Sequence, residues 1–413
     1  MKQPVWILIL SALLLAGCSA RPDKEKKVTF KNDLIFLKKH KPVIVLSDEA
    51  GRAQAALVAD WQGRVVTSTA DGPDGLSFGW INRELVSSGR HDEHINIFGG
   101  EDRFWLGPEG GQFSIFFAAG DPFDLEYWFV PSAIDWDPFK VATADNKRAV
   151  FSKDMVLGNY TGTQFRLNAR REVRLLDDDS ITKILGLDLD AEIRTVGFES
   201  VNTIKNTGAA EWKRETGLLS VWILGMFNPS PATTVIVPFR TGPEAELGPV
   251  VNDAYFGKVP ADRLVVGQAA VFFKGDGLRR SKIGLSPLRA KPVLGSYDAQ
   301  NKVLTLVTYT FPEGVTDYVN SMWELQDKPY SGDVVNSYND GPAEPGAKPL
   351  GPFYELETSS PAAALKPGET LIHVHRTIHL QGPEAALSRV AQAVLGVSLK
   401  DVAAAFRSAP GSH

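Results

Sequence analysis

Three histidines of like parity stand near the end of the chain, His373, His375 and His379 in "TLIHVHRTIHL", with Thr377 between the last two. In an extended segment side chains alternate, so the three imidazoles share one face. That spacing suits zinc ligation, and any one of them suits a proton donor near neutral pH. It also suits ordinary strand histidines, because a metal site needs a carboxylate and outer partners as well. A second group surrounds a glycine pair: "HDEHINIFGGEDR" holds His91, Asp92, Glu93, His94, Glu101, Asp102 and Arg103. If this stretch is extended, His94, Asn96 and Phe98 lie on one face. Arg103 offers a planar donor fork that fits a carboxylate or phosphate, and Trp105 offers a ring face. A tight turn at Gly99 and Gly100, with the charges paired among themselves and Trp105 in the core, accounts for the same residues equally. A third group, "GDVVNSYNDGP", gathers Asp333, Asn336, Tyr338, Asn339 and Asp340 beside turn formers. Such side chains fit a polyhydroxylated ligand, whose hydroxyls both donate and accept. Asn-Asp-Gly-Pro is equally a plain turn. Glu355 and Glu357 follow in "ELETSSP", two apart and therefore on one strand face.

The elements that must position these residues are strands. "QFSIFF", "LEYWFV", "TQFRLNARREVRLL", "EIRTVGFESVNTIKN", "KVLTLVTYTF" and "TLIHVHRTIHL" alternate or cluster β-branched and aromatic residues. They predict a mainly antiparallel β architecture. No repeat at blade period argues for a propeller, and no stretch resembles an interdomain linker. One large β domain is therefore expected over 28–382. A turn at Pro367-Gly368 would make the histidine strand a hairpin neighbour of the Glu357 strand. Before residue 383 helical periodicity is nearly absent. Beyond it, Leu387, Val390, Ala391, Val394 and Leu395 recur at helical spacing and predict a closing helix within 383–413.

The first residues read as an export signal. Lys2 precedes the apolar run "PVWILILSALLLAG", which ends at Cys18 and gives way to "SARPDKEKK". The run is short for a spanning helix of about 20 residues. Leu15, Ala16, Gly17 and Cys18 look like a lipobox, with residues 1–17 as signal peptide and 18–27 as a lipidated tether. Cys18 is the only cysteine among 413 residues, so no disulfide forms within the chain and the thiol has one evident use. The anchor places the protein in the cell envelope, at the outer membrane or the periplasmic face of the inner one. The formal net charge is −5, and no basic patch interleaved with aromatics stands ready for a phosphate backbone, which argues against nucleic acid as a partner.

Several segments, taken in order, resemble the galactose mutarotase-like superfamily, and more closely its bacterial lipoprotein branches. "GWINRE" (Gly79 to Glu84) is similar to the sugar-contacting strand that carries an arginine, here Arg83. "NIFGGEDRFWLGPEGG" (Asn96 to Gly111) is similar to the Asn-x-His-Gly-Gly stretch and its following tryptophan. "VNTIKNTG" (Val201 to Gly208) and "FYELETSSPAAALKPGE" (Phe353 to Glu369) are similar to a mid-chain strand and to the strand that carries the base. The resemblance implies a large β-supersandwich over roughly residues 28 to 382 and a carbohydrate ligand. It also implies a glutamate base, Glu357 with Glu355 beside it, and a histidine acid. The two family histidines are not in place, since Phe98 occupies one position and "LGMFNPSP" (Leu224 to Pro231) carries none. A relocated acid is sought in His94, His373 or His375, with Arg83, Asn96, Arg103, Trp105, Asp333, Asn336 and Tyr338 as substrate contacts. Two functions follow: a carbohydrate-active enzyme acting on a sugar or uronic-acid glycan, most simply an epimerase and otherwise a lyase or glycosidase, or a non-catalytic glycan-binding lipoprotein of a polysaccharide-utilisation system. Neither requires a cofactor, and a divalent metal is compatible with the histidine strand.

Overall fold

The computed structural model describes residues 28–344 and 346–407. The signal peptide, the tether and Cys18 lie outside the described residues. Alternation sets the long strands. In Gln164–Leu176 the inward positions are Phe165, Leu167, Ala169, Arg171, Val173 and Leu175, and this strand pairs antiparallel with Arg194–Asn206 from Leu167 opposite Asn206 to Leu176 opposite Gly197. Both sit in a ten-stranded sheet, beside Thr370–Gln381 and Val303–Tyr309. A five-stranded sheet runs in the order Ser281–Leu285, Val335–Asn339, Tyr354–Ser359, Ser220–Phe227, Arg103–Gly107, and a three-stranded one is built from Ile44–Ser47, Gln54–Val58 and Arg64–Thr69. Every strand pairing is antiparallel. The fold is mainly antiparallel β, as the pattern predicts.

The two larger sheets stack face to face. Leu356, Tyr354, Val335 and Ile283 of the smaller sheet pack with Val235, Phe273, Leu294 and Val307 of the larger. Polar groups also meet between the layers: Tyr354 Oη lies 2.8 Å from Ser296 Oγ, and Ser200 Oγ donates to Asp102 Oδ2 at 2.8 Å. The Glu357 strand and the histidine strand are therefore in different sheets. The expected hairpin at Pro367-Gly368 does not form, because Thr370–Gln381 is already paired on both sides by Val303–Tyr309 and Arg194–Asn206.

Other expectations are corrected. "QFSIFF" and "LEYWFV" are not strands: the first is a run of turns and the second holds a 3-10 turn at Leu125–Tyr127. Their aromatics mark burial rather than pleating, since Phe116, Phe117 and Trp128 enter the largest core cluster from loops. Helices precede residue 383, notably Phe30–His40 and Asp178–Leu185, capped by the Thr29 and Asp177 side chains. The closing helix is two, Glu384–Leu395 and Leu399–Ala404. Gly396, at φ +75°, ends the first, and a capping box from Ser398 to Asp401 starts the second. Leu387, Val390, Ala391 and Leu395 bury against Ile236, Leu304, Leu306 and Ile378 of the ten-stranded sheet. Among the described residues no helix is long and apolar enough to cross a membrane.

Candidate functional site

The face of the five-stranded sheet that turns away from the larger sheet carries an unusual set of side chains. Strand alternation puts Thr358 on the inner face and Glu355 and Glu357 on the outer one. Register then fixes their neighbours: Asn336 and Leu224 flank Glu357, Lys282 lies opposite Tyr338, and Arg103 and Trp105 lie opposite Leu224 and Trp222. Loops cover this face and leave a narrow cavity lined by Gly107, Glu109, Ser220, Trp222, Lys282 and Asp333, among others. Its clear interior, about 20 Å³, holds about one water molecule. A ring-sized ligand therefore reaches Glu357 only when a covering side chain shifts.

Glu357 is fully buried. Its Oε2 accepts from Lys282 Nζ at 3.0 Å and from Trp222 Nε1 at 2.9 Å, whereas Oε1 has no partner. Lys282 also lies over the Trp222 ring, 4.8 Å from its centroid. Burial pulls the Lys282 ammonium down, but Glu357, Glu109 and Glu355 outweigh it and hold it above the usual lysine value. Glu357 thus sits between a cation and a neutral donor, both on one of its oxygens.

Glu109 stands just past the Arg103–Gly107 strand on the cavity wall. Burial, reinforced by the Glu357 charge and opposed by Lys282, pushes its carboxyl up to about 7. The indoles of Trp323 and Trp128 favour its charged form, yet Trp128 Nε1 has no partner within hydrogen-bond distance. Glu355 is pushed well above the usual carboxylate range by burial and by Glu357, against Lys282 and Arg103. At the other wall, Tyr255 Oη donates to Asp333 Oδ2 at 2.6 Å and Asn336 Nδ2 donates to Tyr255 Oη at 3.0 Å. Burial raises both Asp333 and Tyr255. The cavity thus joins the Lys282 ammonium, the Glu109 carboxyl, the Asp333–Tyr255–Asn336 group and the Trp222 indole, and two of these, Lys282 and Trp222, hold Glu357.

Of the residues predicted from sequence, Glu355, Glu357, Asn336, Tyr338 and Trp105 share this face and Asp333 lines its cavity. Tyr338 Oη is engaged by Asp340 Oδ1 at 2.9 Å. Trp105 is buried with its Nε1 unpartnered. Arg103 is not free to clamp a ligand anion: it is 1% exposed, donates to Asp135 Oδ1 at 2.7 Å and rests 4.0 Å from the Trp105 ring centroid. Asn96 serves the same pair, giving Asp135 Oδ2 two donors at 2.8 Å. Arg83 opens the short helix Arg83–Ser88 rather than sitting in a strand, and pairs with Asp33.

None of the histidines sought as the acid hydrogen-bonds Glu357. His94 Nδ1 is 2.7 Å from Trp128 O and its ring stacks on Phe129. His373 and His375 lie behind the sheet, each 2.9 Å from Thr358 Oγ1, because they belong to the facing sheet and meet only inward residues. Burial pulls His373 down to about 3 and His375 to about 4, so both are neutral. His379 Nε2 is 2.7 Å from Glu101. Among the described residues no group of three or more His, Cys, Asp or Glu is placed to hold a metal ion. Sequence reasoning missed Lys282, Trp222, Tyr255 and Glu109. Only Glu109 carried a local signal, a carboxylate within "GPEGG", and it reads as a turn residue.

Fold and site together define an antiparallel β-sandwich protein with a buried carboxyl-ammonium cleft on its smaller sheet. The chain belongs to DUF6786, a family of unknown function whose model matches residues 28–406. No curated protein matches the sequence. The chain is similar to a galactose mutarotase-like protein from Lactobacillus casei, at 11% identity and a TM-score of 0.47, covering 82% of this chain and 100% of that one. It is similar to a galactose mutarotase related enzyme from Lactobacillus acidophilus, at 10% identity and a TM-score of 0.44, covering 83% and 98%. It is also similar to the Slr1438 protein from Synechocystis sp. PCC 6803, at 11% identity and a TM-score of 0.48, covering 83% and 96%.

Proposed function

We propose that the cleft is a carbohydrate site in which Glu357 acts as base and Glu109 as acid, most simply exchanging the anomers of a reducing sugar. The protein would act in the cell envelope, tethered through a lipid on Cys18. One observation carries the reading: Lys282 and Trp222, which fix the Glu357 carboxylate, line the same cavity as Glu109, whose carboxyl is pushed up to about 7. A carboxylate paired with a cation, close to a carboxyl of raised proton affinity, suits general acid-base work at neutral pH. The free Oε1 of Glu357 takes the anomeric hydroxyl proton, the C1–O5 bond breaks as a C1 carbonyl forms, and Glu109 protonates O5. Rotation about C1–C2 and reversal of both transfers gives the other anomer and restores both carboxyls. Asn336, Ser220 and Tyr255 supply polar contacts around an aromatic wall, the composition that a polyhydroxylated ring needs.

The test is anomer exchange followed by NMR on reducing hexoses. Glu357→Gln and Glu109→Gln should each slow exchange by about 10²–10⁴-fold. Binding by the native protein without any turnover would instead support a glycan-binding lipoprotein.

A further inference from the structure

The helix Phe30–His40 comes soon after Cys18 in the chain, and its outward face carries charge of one sign. Its inner side buries Phe30 and Leu37 against Val58, Trp61 and Val66. Its outer side exposes Lys31, Ile35, Lys38 and Lys39. These positions are three or four apart, so they form one patch with Ile35 at its centre, a lysine one turn before it and two one turn after. Ile35 is 49% exposed, and Val28, two residues before the helix, is 41% exposed.

The body of the protein does not use these charges. The helix's own acid, Asp33, is buried and paired with Arg83, and Asp60 is taken by Lys41 at 3.0 Å. Among the described residues Lys31, Lys38 and Lys39 join no salt bridge. Lys38 and Lys39 suit the negative end of the helix, but Lys31 stands in the first turn, where the helix dipole disfavours a cation. The patch also runs against the net charge of −5. Residues 18–27 precede it with four basic residues, Arg21, Lys24, Lys26 and Lys27, against the acidic pair Asp23 and Glu25. A stretch of that length spans at most about 36 Å, so a lipid on Cys18 keeps the patch within reach of the bilayer. An exposed apolar side chain flanked by lysines is what an interfacial helix offers to anionic lipid: the isoleucine enters the acyl boundary and the ammonium groups meet the phosphates.

Resting on the lipid tether at Cys18, we propose that this helix face docks on an anionic phospholipid surface. The lipid supplies attachment and the helix supplies orientation. Each lysine near such a surface contributes about fivefold, so the three favour the docked state by about a hundredfold. The strand beneath the helix, Arg64–Thr69, bridges at Val65 to Asp102 beside the cleft sheet, so docking holds the cleft at a fixed height over the membrane.

The experiment places a polarity-sensitive fluorophore at Ile35→Cys in the lipidated chain, reconstituted in vesicles of phosphatidylcholine alone or of equal parts phosphatidylcholine and phosphatidylglycerol. Cys18 is the only cysteine and carries the lipid, so the introduced thiol alone reacts. A second label, at Gln392→Cys on the exposed side of the helix Glu384–Leu395, reports from the helix that packs on the ten-stranded sheet. With phosphatidylglycerol the first label is expected to shift to the blue and to be quenched by nitroxide-bearing lipid. Both effects should vanish in about 1 M salt, where screening acts within about 3 Å, and in the combined variant Lys31→Glu, Lys38→Glu and Lys39→Glu, while the second label stays aqueous throughout. A first label that is aqueous in both lipids, or equally lipid-bound in both, would overturn the docking and leave the tether in place. Lipid contact that survives the three charge reversals would overturn the lysines as its seat, and equal lipid contact by the two labels would overturn the fixed orientation. A chain that floats with neither vesicle would overturn the tether and the docking together. The comparison of lipids and salt uses the chain with all its lysines, so it decides the docking whether or not the combined variant folds.

Discussion

At the scale of single residues, the site places two carboxyls in unlike surroundings. Lys282 and the Trp222 indole stabilise the charge on Glu357, while Glu109 lacks a counter-charge of its own and burial holds its proton. The acid must be protonated to act, so exchange should fall as pH rises through about 7. Rates measured from pH 5 to 9 should show that limb in the native protein, and it should vanish in Glu109→Gln, which has nothing to titrate there. Part of this was legible in the sequence. The shared face of Glu355 and Glu357 follows from parity alone, and the richness in hydrogen-bonding groups around Asp333 and Asn336 from composition. Lys282 and Glu109 were not legible, because what brings them to Glu357 is pairing between strands far apart in the chain. Arg103 misled for a related reason: its partner, Asp135, arrives from the short helix Ser132–Asp135 and buries the guanidinium in an ion pair.

Elements hold these residues through polar contacts buried on both sides of the smaller sheet. Outside, Asp135 pairs with Arg103 and is itself held by Asn96. Asp135→Ala would leave a buried guanidinium unpaired and should cost about 3–5 kcal/mol, read by denaturant unfolding. Between the layers, Thr358 meets His373 and His375, and Arg171 pairs with Asp102. The two imidazoles have folded values of about 3 and about 4, below the ordinary histidine value of about 6.5. A depressed value means that the unfolded chain binds the proton first. The stability these histidines lend is thus complete above about 6.5 and is lost as pH falls toward 3. Acid titration of His373→Gln should show a shallower decline over that window. The long strands were readable because one face is buried along their whole length. The aromatic loops were not, since rings signal burial whether or not the backbone is pleated. The paired parity of the histidines was read correctly, but which sheet they face depends on topology that alternation does not encode.

The whole molecule is built on a stack of two unequal sheets, with the ten-stranded sheet closed below by the helix Glu384–Leu395 and the loop-covered cleft on the smaller sheet's outer face. Leu387, fully buried in that helix, packs with Leu304 and Ile378, and Leu387→Ala should cost about 2–5 kcal/mol of global stability, measurable as a fall in Tm with the cleft chemically unaltered. The anchor belongs to this scale too. If Cys18 carries the lipid, Cys18→Ser should move the protein from the membrane to the soluble fraction, without change in sugar binding. Apart from the consecutive pair Val335–Asn339 and Tyr354–Ser359, the strands of the cleft sheet come from separate parts of the chain, so the site is a property of the assembled sandwich and not of any one motif. Its central claim is proton transfer at Glu357 on a bound sugar. Two-dimensional exchange NMR of reducing hexoses, with the native protein and with folded Glu357→Gln, tests it most directly. Exchange accelerated by the native protein and returned to the buffer rate by Glu357→Gln is the predicted result. Equal exchange rates with the two proteins would contradict it.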